Sequence, residues 1–371
     1  MLKLPRLREK QLEGVPHGYS LASGWSARLT DAILQLPERV LLWPWYGRIP
    51  IDRPIFVVGP FRSGTTILEK IISDHPSVGY FCYLSNIFYR APIAGYLFTN
   101  LLGSLGVLEN ETIRPIHNPR VPTTRESPYE CEWIWSQSAK SQWDENCLDL
   151  TAGADFSDPS FERYLFSLIR RHLWMQRATR FLNKNPVNCL RLAYLRKLFG
   201  DARFVFIARN PIDTIMSHYR TSLRIEEAFY AEPETKLILQ KRLRMDLLSM
   251  RIKTPSCYSE TLALDRVHPL LGIANQWKDL QLAVANSLKH EPGLADQVFQ
   301  IRYEALIAQP TTILEELWDF LGLDGAQADR ITRAYAGSLT APSEADLGAE
   351  ERKYLPRIRE IVAPAASLFG Y

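Results

Sequence analysis

Short apolar runs recur along this chain, separated by longer stretches with a helical repeat. The runs are IFVVG (55–59), VGYF (78–81), RFLNK (180–184), RFVFIA (203–208) and VFQIR (298–302). Runs of this length, spaced by helical segments, predict strands buried on both faces of a parallel sheet. Between them the spacing of apolar positions predicts helices over 65–74, 159–178, 188–199, 211–224, 269–289 and 311–321. Strand and helix in alternation imply an α/β fold: a doubly wound central parallel sheet of about five strands, flanked by helices, with ligands at the strand C-terminal ends. Residues 1–53 read as an N-terminal helical extension built on one amphipathic segment, SARLTDAILQLPERVLLW, which the prolines at 44 and 50 are expected to end. Residues 54–371 read as a single domain.

Composition narrows this picture. A content of 46% hydrophobic and 11% aromatic residues in 371 is ample for a large core. No repeat or low-complexity tract interrupts it. A net charge of +3 is too small to imply nucleic acid as a partner, so anionic ligands must be argued from local sites. Five widely spaced cysteines, Cys82, Cys131, Cys147, Cys189 and Cys257, offer no metal-ligand spacing and no disulfide framework, which points to a reducing compartment. The first twenty residues lack an apolar signal core, so a cytoplasmic location is expected. The stretch APIAGYLFTNLLGSLGVL (91–108) is uncharged but holds Pro92, Gly95, Gly103 and Gly106, and at this length it is marginal for a membrane span. It predicts a buried or partly exposed helix, with peripheral contact to a membrane or a lipid substrate as the other reading.

The first apolar run leads through Gly59-Pro60-Phe61-Arg62-Ser63-Gly64-Thr65-Thr66 into a helix. A short glycine-containing turn entering a helix aims backbone N–H groups and the positive end of the helix dipole at one point, where Arg62 and the Ser and Thr hydroxyls can join them. An anion belongs there. Gly59 and Gly64 have the spacing of a Walker A loop, but Thr65 stands where that loop has the lysine that reaches the β- and γ-phosphates. The second signal is RFVFIA-Arg209-Asn210-Pro211, where a buried-type strand delivers Arg209, and a helix starting at Pro211 carries Ser217 nearly two turns along. One phosphate can bridge the pair.

Together these segments resemble the superfamily of sulfotransferases that use 3′-phosphoadenosine-5′-phosphosulfate (PAPS), in its bacterial-type branch. The 5′-phosphosulfate loop of that superfamily commonly reads P-R-S-G-T-T; this chain departs from it at Phe61, with proline one place earlier. Its 3′-phosphate motif is an arginine after a strand and a serine eight residues on, the spacing of Arg209 and Ser217. Ile301-Arg302-Tyr303-Glu304-Ala305-Leu306 resembles its V-R-Y-E-x-L segment and implies that Tyr303 lines the nucleotide pocket, the alternative being that Tyr303 and Glu304 simply close the sheet. The resemblance covers about residues 54–371 and implies a P-loop-like sulfotransferase fold, with Arg62, Ser63, Gly64, Thr65, Thr66, Arg209, Ser217 and Tyr303 around PAPS. The implied reaction moves a sulfuryl group to a hydroxyl, or an amine, and releases PAP by in-line displacement without a metal.

Catalysis of such a transfer is positioning plus electrostatics. Lys184-Asn185-Pro186 fits a K-x-P setting of the superfamily and implies that Lys184 stabilises the bridging oxygen as PAP departs, with Arg62 sharing the sulfuryl charge. The glutamate that some relatives carry after a His-Pro pair has no counterpart after His75-Pro76. Candidates for the base are therefore Glu130, then Glu132 and Glu126, in a segment resembling S-P-x-E-x-E, where nearby Tyr129, Trp133 and Trp135 would raise a carboxylate pKa. The other reading of these acids is the favoured first turn of a helix after Ser127-Pro128. The acceptor, whether alcohol, lipid or glycan, is left open. Two other functions stay in view: a P-loop nucleotide kinase, which the missing Walker lysine disfavours, and a non-catalytic PAP-binding or membrane-associated scaffold.

Overall fold

The computed structural model describes residues 25–86, 88, 90–105, 123–131, 134–135, 153, 155–231, 258–323, 325–339 and 347–371. Its strands are β1 (Ile55–Val58), β2 (Val78–Tyr80), β3 (Arg180–Lys184), β4 (Arg203–Ala208) and β5 (Val298–Arg302). They lie side by side in the order β2-β3-β1-β4-β5, and every pairing is parallel. From β1 the chain passes to the far strand β2, returns to place β3 between them, and then crosses to add β4 and β5 on the other side of β1. The crevice where it changes direction opens at the C-terminal end of β1.

The helices are α1 (Trp25–Tyr46), α2 (Thr65–Ser73), α3 (Pro92–Ser104), α4 (Pro159–Gln176), α5 (Leu192–Leu198) and α6 (Pro211–Ala231), followed by α7 (Tyr258–Val267) and α8 (Pro269–His290). After β5 come α9 (Tyr303–Ala308), α10 (Pro310–Leu321), α11 (Gly325–Ala336) and α12 (Ala349–Ala366). Alternation along each strand sends successive side chains to opposite faces, so each face needs its own cover. Ile55 and Val57 of β1 and Val205 and Ile207 of β4 pack under α2, α10 and α11. Phe56, Val58, Phe204 and Phe206 fill the other face with α4, α5 and α8. A third cluster joins α6, α8 and α12 through Ile215, Trp277 and Ile358. Each such fully buried side chain contributes about 1.5–3 kcal/mol, which holds the strand ends, and whatever they carry, in fixed relation.

The fold class expected from the apolar runs is the one observed, and all five runs are strands. One local expectation holds and two are corrected. Helix α1 runs through Pro37 and ends at Tyr46, within the Pro44 to Pro50 stretch expected to end it. Its end is held by tertiary contact: Tyr46 is buried, beneath the guanidinium of Arg171. The helix expected over 188–199 is a 3₁₀ turn, Pro186–Leu190, followed by α5. The break falls at Arg191, whose φ of −126° and ψ of 8° leave the helical region while its buried side chain bonds Asn188 Oδ1 at 3.1 Å and lies over the Trp135 ring. The acidic segment is no helix start between Glu126 and Cys131. It is an extended run in which Cys82 and Pro128 form an antiparallel bridge and the Tyr129 N–H donates to Phe81 O at 2.8 Å.

Candidate functional site

At the end of β1 the chain turns through a loop that only particular residues can form. Gly59 has φ 152°, and a Cβ there would lie 2.4 Å from the Ile207 carbonyl oxygen on β4. Arg62 adopts φ 68°, left-handed and unfavourable for a side-chain-bearing residue, which is the kind of strain that persists where the surroundings fix it. Gly64, at φ 106°, comes so close to Tyr303 that a Cβ would meet its ring at 2.6 Å. Buried Ser63 donates its hydroxyl to Pro60 O at 2.7 Å and so braces the loop from within. No side chain caps α2 at Gly64. Its first N–H groups, with Thr65 and Thr66 in the opening turn, thus form an anion-binding end carrying about half a positive charge.

Arg62 is the hub of the cluster. Its Nε donates to Ser217 Oγ at 3.2 Å, and its carbonyl accepts from Arg209 NH1 at 3.3 Å, across 155 and 147 residues of sequence. Arg209 lies over the Tyr303 ring at 4.7 Å, its Nε has no hydrogen-bond partner among the described residues, and Asp213 reaches it only at 4.0 Å. This is a largely buried guanidinium with donors to spare, facing Tyr303 and the loop. The strand end that carries it is braced by Asn210 and by Glu304, which the sequence also offered as a residue that closes the sheet. Asn210 caps α6 by accepting from the N–H groups of Ile212 at 2.9 Å and Asp213 at 3.2 Å, while its own N–H donates to Glu304 Oε1 at 2.8 Å. Glu304 in turn accepts from the Tyr371 hydroxyl at 2.7 Å.

A second cluster forms at the C-terminal end of β3, beside β1. The Lys184 ammonium is buried between two carboxylates, Glu130 Oε1 at 2.5 Å and Glu69 Oε2 at 3.6 Å. Burial by itself would lower the Lys184 pKa, but the Glu130 and Glu69 charges outweigh it and the net shift is upward. Glu69 is pushed up to about 7, first by burial and then by the charge of Glu130, against the opposing pull of Lys184. Two acids facing one base can hold an extra proton near neutral pH. Glu130 is held in place by its backbone: Asn183 Nδ2 donates to Glu130 O at 3.3 Å, and Asn188 supports Asn183 at 3.0 Å.

The predicted residues therefore fall into two sets at one edge of the sheet. Arg62, Gly64, Arg209, Ser217 and Tyr303 are in mutual contact, with Thr65 and Thr66 at the adjoining helix start; Lys184 meets Glu130. Ser63 turns inward, Glu126 is exposed in a turn, and Glu132 lies outside the described residues. Glu69 was missed. Its signal is positional: it shares the 65, 68, 69, 72 stripe of α2 with Thr65, Leu68 and Ile72, so a carboxylate stands on a buried helix face.

An uncapped helix end, a pair of arginines in contact and a buried lysine thus gather at the switch point of a parallel sheet. The chain belongs to the sulfotransferase family, whose profile matches residues 54–246, just over half of its length. It is 22% identical over 295 residues to the omega-hydroxy-beta-dihydromenaquinone-9 sulfotransferase Stf3 of Mycobacterium bovis and to that of Mycobacterium tuberculosis, an alignment covering 73% of this chain and 63% of theirs. The chain thus spans less than two thirds of the length of these curated relatives. Among solved structures it resembles the sulfotransferase STF9 of Mycobacterium avium, with a TM-score of 0.55 at 16% identity over 94% of this chain and 86% of that one. It also resembles STF1 of Mycobacterium tuberculosis, with a TM-score of 0.50 at 18% identity over 91% and 83%.

Proposed function

We propose that this protein transfers the sulfuryl group of PAPS to a hydroxyl on an apolar acceptor and releases PAP. The observation that carries the reading is the junction of Arg62 with Ser217 and Arg209 over the uncapped start of α2. A nucleoside triphosphate would leave the second guanidinium without a purpose, whereas PAPS carries a 3′-phosphate for it. In this reading the α2 N–H groups, Arg62, Thr65 and Thr66 hold the 5′-phosphosulfate, Arg209 and Ser217 hold the 3′-phosphate, and Tyr303 lines the nucleotide pocket.

The acceptor oxygen attacks sulfur in line as the bond from sulfur to the bridging oxygen breaks, and negative charge gathers on the departing phosphate. Lys184 donates to that bridging oxygen and Arg62 to the sulfuryl oxygens, so the positive charge comes from side chains and the route is metal-independent. The acceptor proton passes to Glu130, the more exposed of the two carboxylates around Lys184. Glu69, behind the lysine, keeps that ammonium fixed between turnovers. The relatives from Mycobacterium bovis and Mycobacterium tuberculosis are named for an omega-hydroxylated dihydromenaquinone. That name and the apolar helix within 91–108 support a lipid alcohol as acceptor, met at the surface of a membrane.

Calorimetric titration with PAP, with ADP and ATP as controls, tests the nucleotide assignment without an acceptor. Binding of PAP at least about tenfold tighter than ADP is expected from the extra charge-assisted hydrogen bonds to one phosphate. Equal affinity would overturn the 3′-phosphate site, and a preference for ATP would restore the kinase reading.

A further inference from the structure

Helices α1 and α3 sit together on α4, and both turn apolar residues outward. On α1, Leu36, Val40 and Trp43 follow one another at helical spacing, and so do Leu97 and Leu101 of α3 and Leu105 at its C-terminal cap; these six expose between 51 and 69% of their surface. Trp45, in the last turn of α1, is exposed as well. Monomeric proteins rarely present so many large apolar side chains side by side without a use for them. No helix among the described residues is long and apolar enough to cross a membrane, so the face is something that lies on a surface.

The two helices are locked rather than loosely laid down. Glu38 is wholly buried, its Oε1 paired with Arg171 NH1 at 3.1 Å and its Oε2 accepting from the Ala94 N–H at the start of α3 at 2.8 Å. The same Arg171 nitrogen donates to Arg90 O at 2.6 Å. A buried pair of this kind is costly to break, so it fixes the angle at which both apolar faces look outward.

Charge selects the occupant. Within 33–48 and 90–105 the sole acid is Glu38, which the clamp consumes, while Arg39, Arg48 and Arg90 are exposed. Leucines in the middle, tryptophans at one end and an arginine rim match the depth profile of a bilayer interface whose headgroups are negative. We infer that the α1/α3 face docks this protein on an anionic lipid bilayer. The inference deepens the reading of a lipid acceptor: Arg125 donates to Asn100 of α3 at 3.3 Å, and five residues further along the same segment stands Glu130, the carboxylate proposed to take the acceptor proton.

The test is flotation of the full chain with vesicles of phosphatidylcholine alone and of phosphatidylcholine with phosphatidylglycerol, with no nucleotide present. The native protein should float with the anionic vesicles, at least about tenfold more weakly with neutral ones or in high salt. Leu97→Asp with Leu101→Asp should abolish flotation, and Arg39→Glu with Arg48→Glu should remove the anionic preference, both with unchanged circular dichroism and PAP affinity. Native protein that stays in solution with every vesicle overturns the inference. So does a dimer in light scattering that the Leu97→Asp, Leu101→Asp variant converts to monomer, since a second copy would then own the face. PAP binding decides the sulfotransferase reading separately, so either proposal can fail without the other.

Discussion

Glu69→Gln isolates the charge balance around Lys184 and can be read from folding alone. The Glu69 carboxyl keeps its proton up to about pH 7 in the folded protein, because burial and the neighbouring Glu130 penalise its charge more than Lys184 favours it. In the unfolded chain it releases that proton near 4.5. Between these values the folded state binds more protons than the unfolded state, so this group's contribution is complete below pH 4.5 and falls away as the pH rises to about 7. The gap is about 2.5 pH units, and at about 1.4 kcal/mol per unit the ceiling is about 3 kcal/mol. Sharing of the proton with Glu130 and Lys184 lowers this toward about 1 to 2 kcal/mol. Glutamine has the shape of the protonated acid and never ionises. Urea unfolding of both proteins from pH 4.5 to 8 should therefore show the variant gaining on the native chain by that amount, with the change centred in the interval. A stability difference that stays flat across it would mean that Glu69 titrates as an ordinary carboxylate and that the buried trio holds no extra proton.

Arg209→Ala should weaken PAP binding by about ten- to a hundredfold in calorimetry while leaving ADP binding much less changed, since each charge-assisted bond is worth about 1.5–3 kcal/mol; equal losses for both would detach Arg209 from the 3′-phosphate. For Lys184→Ala, PAP affinity should be mostly retained and turnover of labelled PAPS should fall by orders of magnitude, so turnover at the native rate removes the lysine from the chemistry. Gly64→Ala must strain a φ of 106° and displace the Tyr303 ring, and a PAP titration should show at least about a tenfold loss. Glu38→Ala leaves Arg171 buried and unpaired, and thermal unfolding should report about 3–5 kcal/mol of lost stability; a loss below about 1 kcal/mol would show that α1 is not clamped.

Much of this molecule is written locally. The β-type runs at 55–58 and 203–208 can be read from sequence because a strand covered on both faces has to be apolar almost throughout, and this leaves a clear trace. The anion loop is equally legible: left-handed φ at Gly64, the uncapped helix start and the hydroxyls of Thr65 and Thr66 all belong to one short segment. The arginine and serine at 209 and 217 share one strand-to-helix turn for the same reason. The 188–199 stretch reads as one helix in sequence because its break at Arg191 depends on Trp135, which approaches from elsewhere in the chain.

Sequence by itself determined the sheet, its order of covering helices and the kind of group that would gather at its C-terminal edge, since these follow from periodicity, turn geometry and residue type within a few turns of chain. The tertiary structure alone decided which of those groups meet. Arg62 finds Ser217 across 155 residues, Lys184 finds Glu69 as well as Glu130, and Glu38 spends its charge inside, leaving arginines around the apolar face. The physical reason is that an ionisable side chain takes its properties from distance and burial, and neither is a property of the residues beside it in sequence.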